Sequence, residues 1–362
     1  MKVNLLHTTS FSSNEKALLF PLYCFGNQLR ERGCSVGFHT TISDRLYDCD
    51  VLLLLGKFFN RTWDTPSEVF DFLTQARKRT NRVIWHDSTD STGTPQFAVL
   101  PYVDRYLKAQ LLRDRRLYLR RHYGYRLFCD FYHEKFGIED SETDGHMNTL
   151  PAEADLGKID LLWNSGLSNY SVHRCTGFDR RWFNYRHIFP YPFHYPRTWY
   201  PPRAARQRVF SCRIRTDYPR ATVSFQRAEV ERRLRQIRLL ESARKMSRKK
   251  YFKEMEASYA VISPFGFGEI SLRDFELTIC GAACVKQNMD HMDTWPNLWR
   301  PGMYVPWRWD FSDFEDIVRS LPNRKEELTQ CAENAQQCYR NLLDTAEGHE
   351  AICNRFIEKM SF

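Results

Sequence analysis

The feature that most constrains this chain is the alternation of strand and helix signals across its first ninety residues. Segments 2–7, 34–39, 50–55 and 82–86 are apolar and strand-like, while 17–32 and 66–78 carry helical periodicity, the former with a basic end and Gly33 as its stop. The run Val51–Leu55 has no polar position at all, which suits a strand covered on both faces. Strand, helix and strand in succession imply a parallel, doubly wound sheet. Ligands of such sheets meet the carboxyl ends of the strands, so loops beginning near Thr8, Gly56 and Asp87 are expected to face a cleft.

Beyond residue 100 the pattern loosens and then repeats. Segment 105–136, basic and aromatic, reads as helical, and 139–153 as a polar loop. Segment 159–163 is a further buried strand leading into Asn164-Ser165-Gly166. Pro190, Pro192, Pro196, Pro201 and Pro202 interrupt regular structure within the aromatic stretch 176–204. A second α/β unit follows, with strands at 208–212, 259–263, 283–286 and 303–306, a long basic helix over 222–249, and two helices after 324. At 362 residues the chain exceeds the size of one ordinary core. The expected division is an N-terminal unit over 1–185, a linker over 186–204 and a C-terminal unit over 205–362. No apolar run approaches the roughly 20 residues that cross a bilayer, and the N-terminus reads as no secretory leader, so a cytoplasmic location is expected.

Charge narrows the partners. The net charge of +9 is concentrated in three blocks, +6 over 105–121, +5 over 203–220 and +7 over 226–250, which leaves the remainder at −9. A diffuse nucleic-acid coat is not what this distribution encodes, although single blocks can meet phosphate groups or an anionic membrane face. Block 226–250 could make peripheral contact with an inner membrane face. The eleven cysteines show no pair at two-residue spacing, and Cys280 and Cys284 read as buried structural thiols, so neither a disulfide framework nor a zinc site is expected.

The segment richest in chemistry is 263–276, where Gly266 and Gly268 precede Glu269, Arg273, Asp274 and Glu276 at a strand-to-helix transition. Glycines there let backbone N–H groups approach a ligand, and a helix N-terminus favours anions. Glu269 and Glu276 lie near one helix face with Arg273 between them, which fits phosphate recognition or an ordinary amphipathic helix with internal ion pairs.

The string SPFGFGEISLRDFELTICGAACVK at 263–286 resembles the donor-binding motif of glycosyltransferases with the GT-B fold. Ser271-Leu272-Arg273-Asp274-Phe275-Glu276, with Gly281 five residues on, is similar to a pattern of the exostosin family and its bacterial and viral relatives. The strings QNMDHMDTWPNLW and YVPWRWDFSDFEDIV downstream extend the likeness to about 60 residues. The resemblance implies an α/β fold of two Rossmann-like domains facing a cleft, with C-terminal helices, and a glycosyltransferase serving polysaccharide biosynthesis. It implies that Glu276 holds the ribose hydroxyls of a nucleotide and that Arg273 neutralises diphosphate, joined by Arg213 or Arg215 from the second unit's first strand. No resident cofactor is implied, the donor being a nucleotide sugar, with UDP-sugar favoured. Glu269 departs from the exostosin pattern and aligns with the first acid of other GT-B motifs.

A metal-dependent alternative would place Asp-x-Asp after a buried strand, whereas Asp48-Cys49-Asp50 precedes one and reads as a loop, so no metal ligand is named. An inverting transfer needs a general base for the acceptor hydroxyl. The loop opening at 86–91 concentrates one imidazole and two carboxylates, which makes Asp87 the first candidate base, with Asp90 and His86 behind it. As caps or Asx turns these aspartates would be structural. His7 and Asn164 are further candidates on the acceptor side. The acceptor expected is a glycan or lipid-linked glycan. Two other classes remain open on the sequence: a nucleic-acid-binding protein using the basic blocks, and a nucleotide-sugar epimerase of the same fold.

Overall fold

The computed structural model describes residues 1–8, 13–59, 66–141, 149–167, 199–239 and 246–361. Strands β1 (Lys2–Leu6), β2 (Ser35–His39), β3 (Val51–Leu55), β4 (Arg82–Asp87), β5 (Arg105–Lys108), β6 (Leu111–Leu112), β7 (Ile159–Asp160), β8 (Arg208–Ser211), β9 (Ser258–Ile262), β10 (Ala283–Gln287), β11 (Met292–Asp293) and β12 (Tyr304–Trp307) form three sheets. The first is six-stranded in the order β2-β1-β3-β4-β5-β7, and the second is four-stranded in the order β12-β10-β9-β8. All pairings within these two are parallel. The third is a small antiparallel ribbon of β6 and β11 that ties the two halves together.

The apolar run of β3 is explained by its neighbours. Val51, Leu53 and Leu55 enter one core while Leu52 and Leu54 enter another on the opposite face, so no side chain of the strand meets water. Each such burial is worth about 1.5–3 kcal/mol. The larger core also holds Ile262 and Val285 of the second sheet, so apolar packing runs unbroken from one half to the other.

Helices α1 (Ser13–Cys24), α2 (Gly26–Glu31), α3 (Pro66–Arg79), α4 (Leu127–Phe136), α5 (Ala221–Gln236), α6 (Arg248–Glu256), α7 (Leu272–Ile279), α8 (Phe314–Ser320), α9 (Lys325–Asp344) and α10 (Ala346–Met360) cover the sheets. Three differ from the sequence expectation. The single helix over 17–32 is two, because Phe25, at φ -107° and ψ 17°, leaves the helical path between Cys24 and Gly26. The helix over 105–136 is present only as α4; its first part is β5, where Tyr106 and Lys108 alternate out of the sheet toward Asp87. The helix over 222–249 is α5 and α6, with Arg238 at φ 58° ending the first turnings.

Of the expected linker, residues 186–198 lie outside the described residues. Helix α10 returns to the first sheet: Arg355 donates to the carbonyls of Leu161 and Leu162, Lys359 pairs with Asp160 at 2.8 Å, and Arg105 donates to the Lys359 carbonyl. No helix among the described residues is long and apolar enough to cross a membrane.

Candidate functional site

The carboxyl ends of the two sheets face each other across a cavity of about 520 Å³. The first sheet's side supplies Asn14 from the start of α1, Lys57 after β3, Asp90 after β4, and Ser165. The second supplies Tyr218, Arg227, Tyr251, Arg273, Glu276 and the turn from Gly266 to Leu272.

Ser271 begins α7 with a reciprocal cap: its hydroxyl accepts the N–H of Asp274, whose carboxylate accepts the N–H of Ser271. Asp274 is thereby turned inward, where Ser263 donates to it at 2.6 Å and Lys286 pairs with it at 3.1 Å. Gly268 lies against the opposite half. A Cβ there would sit 1.3 Å from the Asp90 carbonyl oxygen, so only glycine permits this approach.

Two guanidiniums define the cavity's chemistry, that of Arg227 buried and that of Arg273 half-buried. Arg227, on α5, donates to the carbonyls of Arg215, Pro264 and Phe265. Arg273 donates to the Arg213 carbonyl at 2.6 Å and to the Tyr251 hydroxyl at 3.3 Å. Among the described residues these bonds go to carbonyl and phenol oxygens and none to a carboxylate. Burial and the Arg273 charge beside it pull Arg227 down to about 10. Burial also opposes charge on Arg273, but Tyr251 and Asp274 more than offset it and hold the group above its ordinary value. Two like charges held in one wall, with their hydrogen bonds among the described residues going to uncharged oxygens, suit an anion bearing more than one charge.

Glu276 reaches the same cavity, 7% exposed. Burial raises its carboxyl, against the opposing pull of Arg248 and Arg273. Gly266, Gly268, Arg273, Glu276 and Asp90 are thus brought together as expected of a cleft.

Other candidates lie elsewhere. Asp87 is fully buried, paired with Lys108 at 2.9 Å and accepting from the Tyr106 hydroxyl at 2.6 Å and the Thr89 N–H at 2.8 Å. It shapes the loop but cannot touch an acceptor. Burial works against its charge, yet Lys108 and these donors hold its carboxyl below the usual range. His86 is buried with neither ring nitrogen hydrogen-bonded, and burial pulls it down to about 4, so it stays neutral away from the cleft. His7 is buried beside the Thr8 carbonyl, 2.7 Å from its Nδ1. Asn164 bridges the halves, donating to the Ala109 carbonyl and accepting the Trp295 N–H, while its neighbour Ser165 lines the cavity.

The expected cations Arg213 and Arg215 also change roles. Arg213 is gripped by both oxygens of Glu254, and Arg215 turns to Asp217 near solvent. Their carbonyls accept from Arg273 and Arg227. Glu269 is buried between the halves, accepting the N–H and hydroxyl of Thr92, with His291 3.8 Å away. Arg227, Tyr218 and Tyr251 escaped the sequence reading because they fall inside a uniformly basic stretch or beside it, where spacing alone does not separate an inward arginine from solvated ones.

No family model matches the chain, and no curated protein matches it. Among solved structures, the apo form of the lipopolysaccharide outer core galactosyltransferase WaaB superimposes with a TM-score of 0.50 at 11% identity, covering 99% of this chain and 100% of that one. Anabaena HepE in complex with UDP-glucose aligns over 99% and 100% of the two chains at 10% identity, with a TM-score of 0.38 that is too low to add to this. At such identity the likeness is one of fold: the chain has the GT-B architecture, two Rossmann-like α/β domains facing a cleft, with helices at the C-terminus.

Proposed function

We propose that this protein is a glycosyltransferase that moves a sugar from a nucleoside-diphosphate sugar, a UDP-sugar in first place, to a glycan or lipid-linked glycan acceptor. The observation that carries this reading is the pair Arg227, buried, and Arg273, half-buried, which line one cavity with the Gly266–Gly268 turn and Glu276. Negative charge grows on a diphosphate as the glycosidic bond breaks, and fixed cations stabilise that charge. Glu276 suits a ribose, because a carboxylate accepts two O–H bonds. The division intended is an acceptor side within 1–185 and a donor side within 205–362, with α10 laid back on the first sheet. A closer relation to exostosin-type transferases rests on the Ser271 to Glu276 motif, and a role in polysaccharide assembly at the inner face of a membrane goes with it.

For an inverting transfer, we take Asp90 as the carboxylate that accepts the proton of the acceptor hydroxyl. It is exposed in the cavity from the first domain, and Asn14 donates to its side chain. The test is a thermal-shift and calorimetric panel of UDP, GDP, ADP and CMP. A nucleoside diphosphate is expected to raise the melting temperature and CMP to do so far less. Arg227→Ala and Arg273→Ala should each weaken binding by about 10- to 100-fold, the worth of a charge-assisted hydrogen bond. No shift with any diphosphate would remove the donor site.

A further inference from the structure

Glu276 has a partner outside the cavity that none of the motif's own residues supplies. Arg248, the first residue of α6, brings its Nη2 to 3.3 Å from Glu276 Oε1. The guanidinium lies over the Phe252 ring, 5.3 Å from its centroid, while its side chain remains 43% exposed. Helix α6 also carries Tyr251, whose hydroxyl accepts from Arg273, so one turn of this helix braces both the cation and the carboxylate of the cavity.

We propose that Arg248 is a positioning residue of the donor site, which fixes Glu276 from behind and keeps it a charged acceptor for the two hydroxyls of a ribose. The proposal rests on the donor-site reading above. A carboxylate buried to this degree gains a proton more easily than an exposed one, and a protonated carboxyl accepts fewer O–H bonds. The groups facing Glu276 are Arg248 and Tyr251 from α6, and Arg273, Asp274 and Cys280 from its own helix and its end. Asp274 disfavours the charge, and its own partners are Lys286 and Ser263. Arg273 favours the charge but is committed to the Arg213 carbonyl and Tyr251. Among the described residues, Arg248 is therefore the cation whose ion-pair contact is made to Glu276 itself.

Removing it moves the protonation of Glu276 toward neutral pH. UDP binding, followed by calorimetry from pH 5.5 to 8.5 in the wild type, Arg248→Ala, Arg248→Lys and Glu276→Gln, reads the effect. In Arg248→Ala the pH at which affinity is half lost should rise by about one unit, equivalent to about a tenfold loss on the acid limb, with recovery at high pH. Arg248→Lys should restore the wild-type profile in large part, and Glu276→Gln should bind weakly with no such limb. In the ligand-free protein, the ¹³C signal of the Glu276 carboxyl should titrate higher in Arg248→Ala. An unmoved carboxyl titration, or an affinity loss in Arg248→Ala that is equal at every pH, overturns the positioning role alone. Wild-type protein that binds no UDP at any pH, while its Glu276 titration responds to Arg248→Ala, overturns the donor-site reading and with it the ribose part of the proposal.

Discussion

Asp87 and Asp90 lie three residues apart in the same loop, yet burial gives them opposite duties. Asp87 neutralises Lys108 in the interior, whereas Asp90 faces the cavity. Asp87→Asn should therefore act on stability: Lys108 is left as a buried charge without its partner, at a cost of about 3–5 kcal/mol in urea unfolding at pH 7. Because the folded protein holds the Asp87 carboxyl below its unfolded value, its contribution is present above about pH 4 and fades as pH falls through the lower folded value. The gap between wild type and variant should accordingly narrow in acid; a constant gap would mean the pair does not titrate as described. Asp90→Asn should do the reverse, abolishing transfer with stability and UDP affinity unchanged. From the sequence, both aspartates followed a buried strand, and Asp87 stood as the first candidate base with Asp90 behind it. What separates them is Lys108, an apparently ordinary member of a basic block that β5 turns into the core.

At the scale of elements, α7 is the best-encoded piece of the site. Its start is set by Ser271 and Asp274 three residues apart, its interior by the buried Phe275, Leu277 and Ile279, and its end by Gly281 at φ 64°. Ser271→Ala should cost about 1 kcal/mol in chemical denaturation, the usual worth of such a cap; no loss would show that Asp274 holds the turn alone through Ser263 and Lys286. The side chains of Arg213 and Arg215 were expected to meet a ligand, and the structure shows their carbonyls accepting from Arg273 and Arg227. Backbone carbonyls take no part in a charge count, so a sequence shows the guanidiniums and hides the oxygens. The long helix expected over 222–249 failed for a related reason. Basic composition marks solvent-facing positions, and a break where Arg238 turns left-handed carries no strong signal in residue type.

In the whole molecule, the donor turn is also the seam between the domains. Thr92 reaches Glu269, Gln110 accepts the Ile270 N–H at 2.9 Å and donates to the Asp90 carbonyl at 2.9 Å, Arg126 donates to the Phe267 carbonyl, and Asn164 meets Trp295. Whatever shifts residues 266–270 thus shifts the domains. Gly268→Ala, whose added carbon would collide with Asp90, should push the halves apart, quicken hydrogen exchange at the Thr92 and Ile270 amides and enlarge the radius of gyration in solution scattering. Unchanged exchange at both amides would show that the seam is not held there. The sequence by itself determined the two parallel α/β units, the Gly266–Glu276 segment as a charge-rich turn from strand to helix, and the terminal helices, because these rest on local periodicity and turns. Only the tertiary structure decided which charges serve the cavity. Arg227 joins Arg273 in its lining while Arg213 pairs with Glu254, and Asp90 lies in it while Asp87 is buried against Lys108, and pairing between distant residues leaves no trace in spacing or composition.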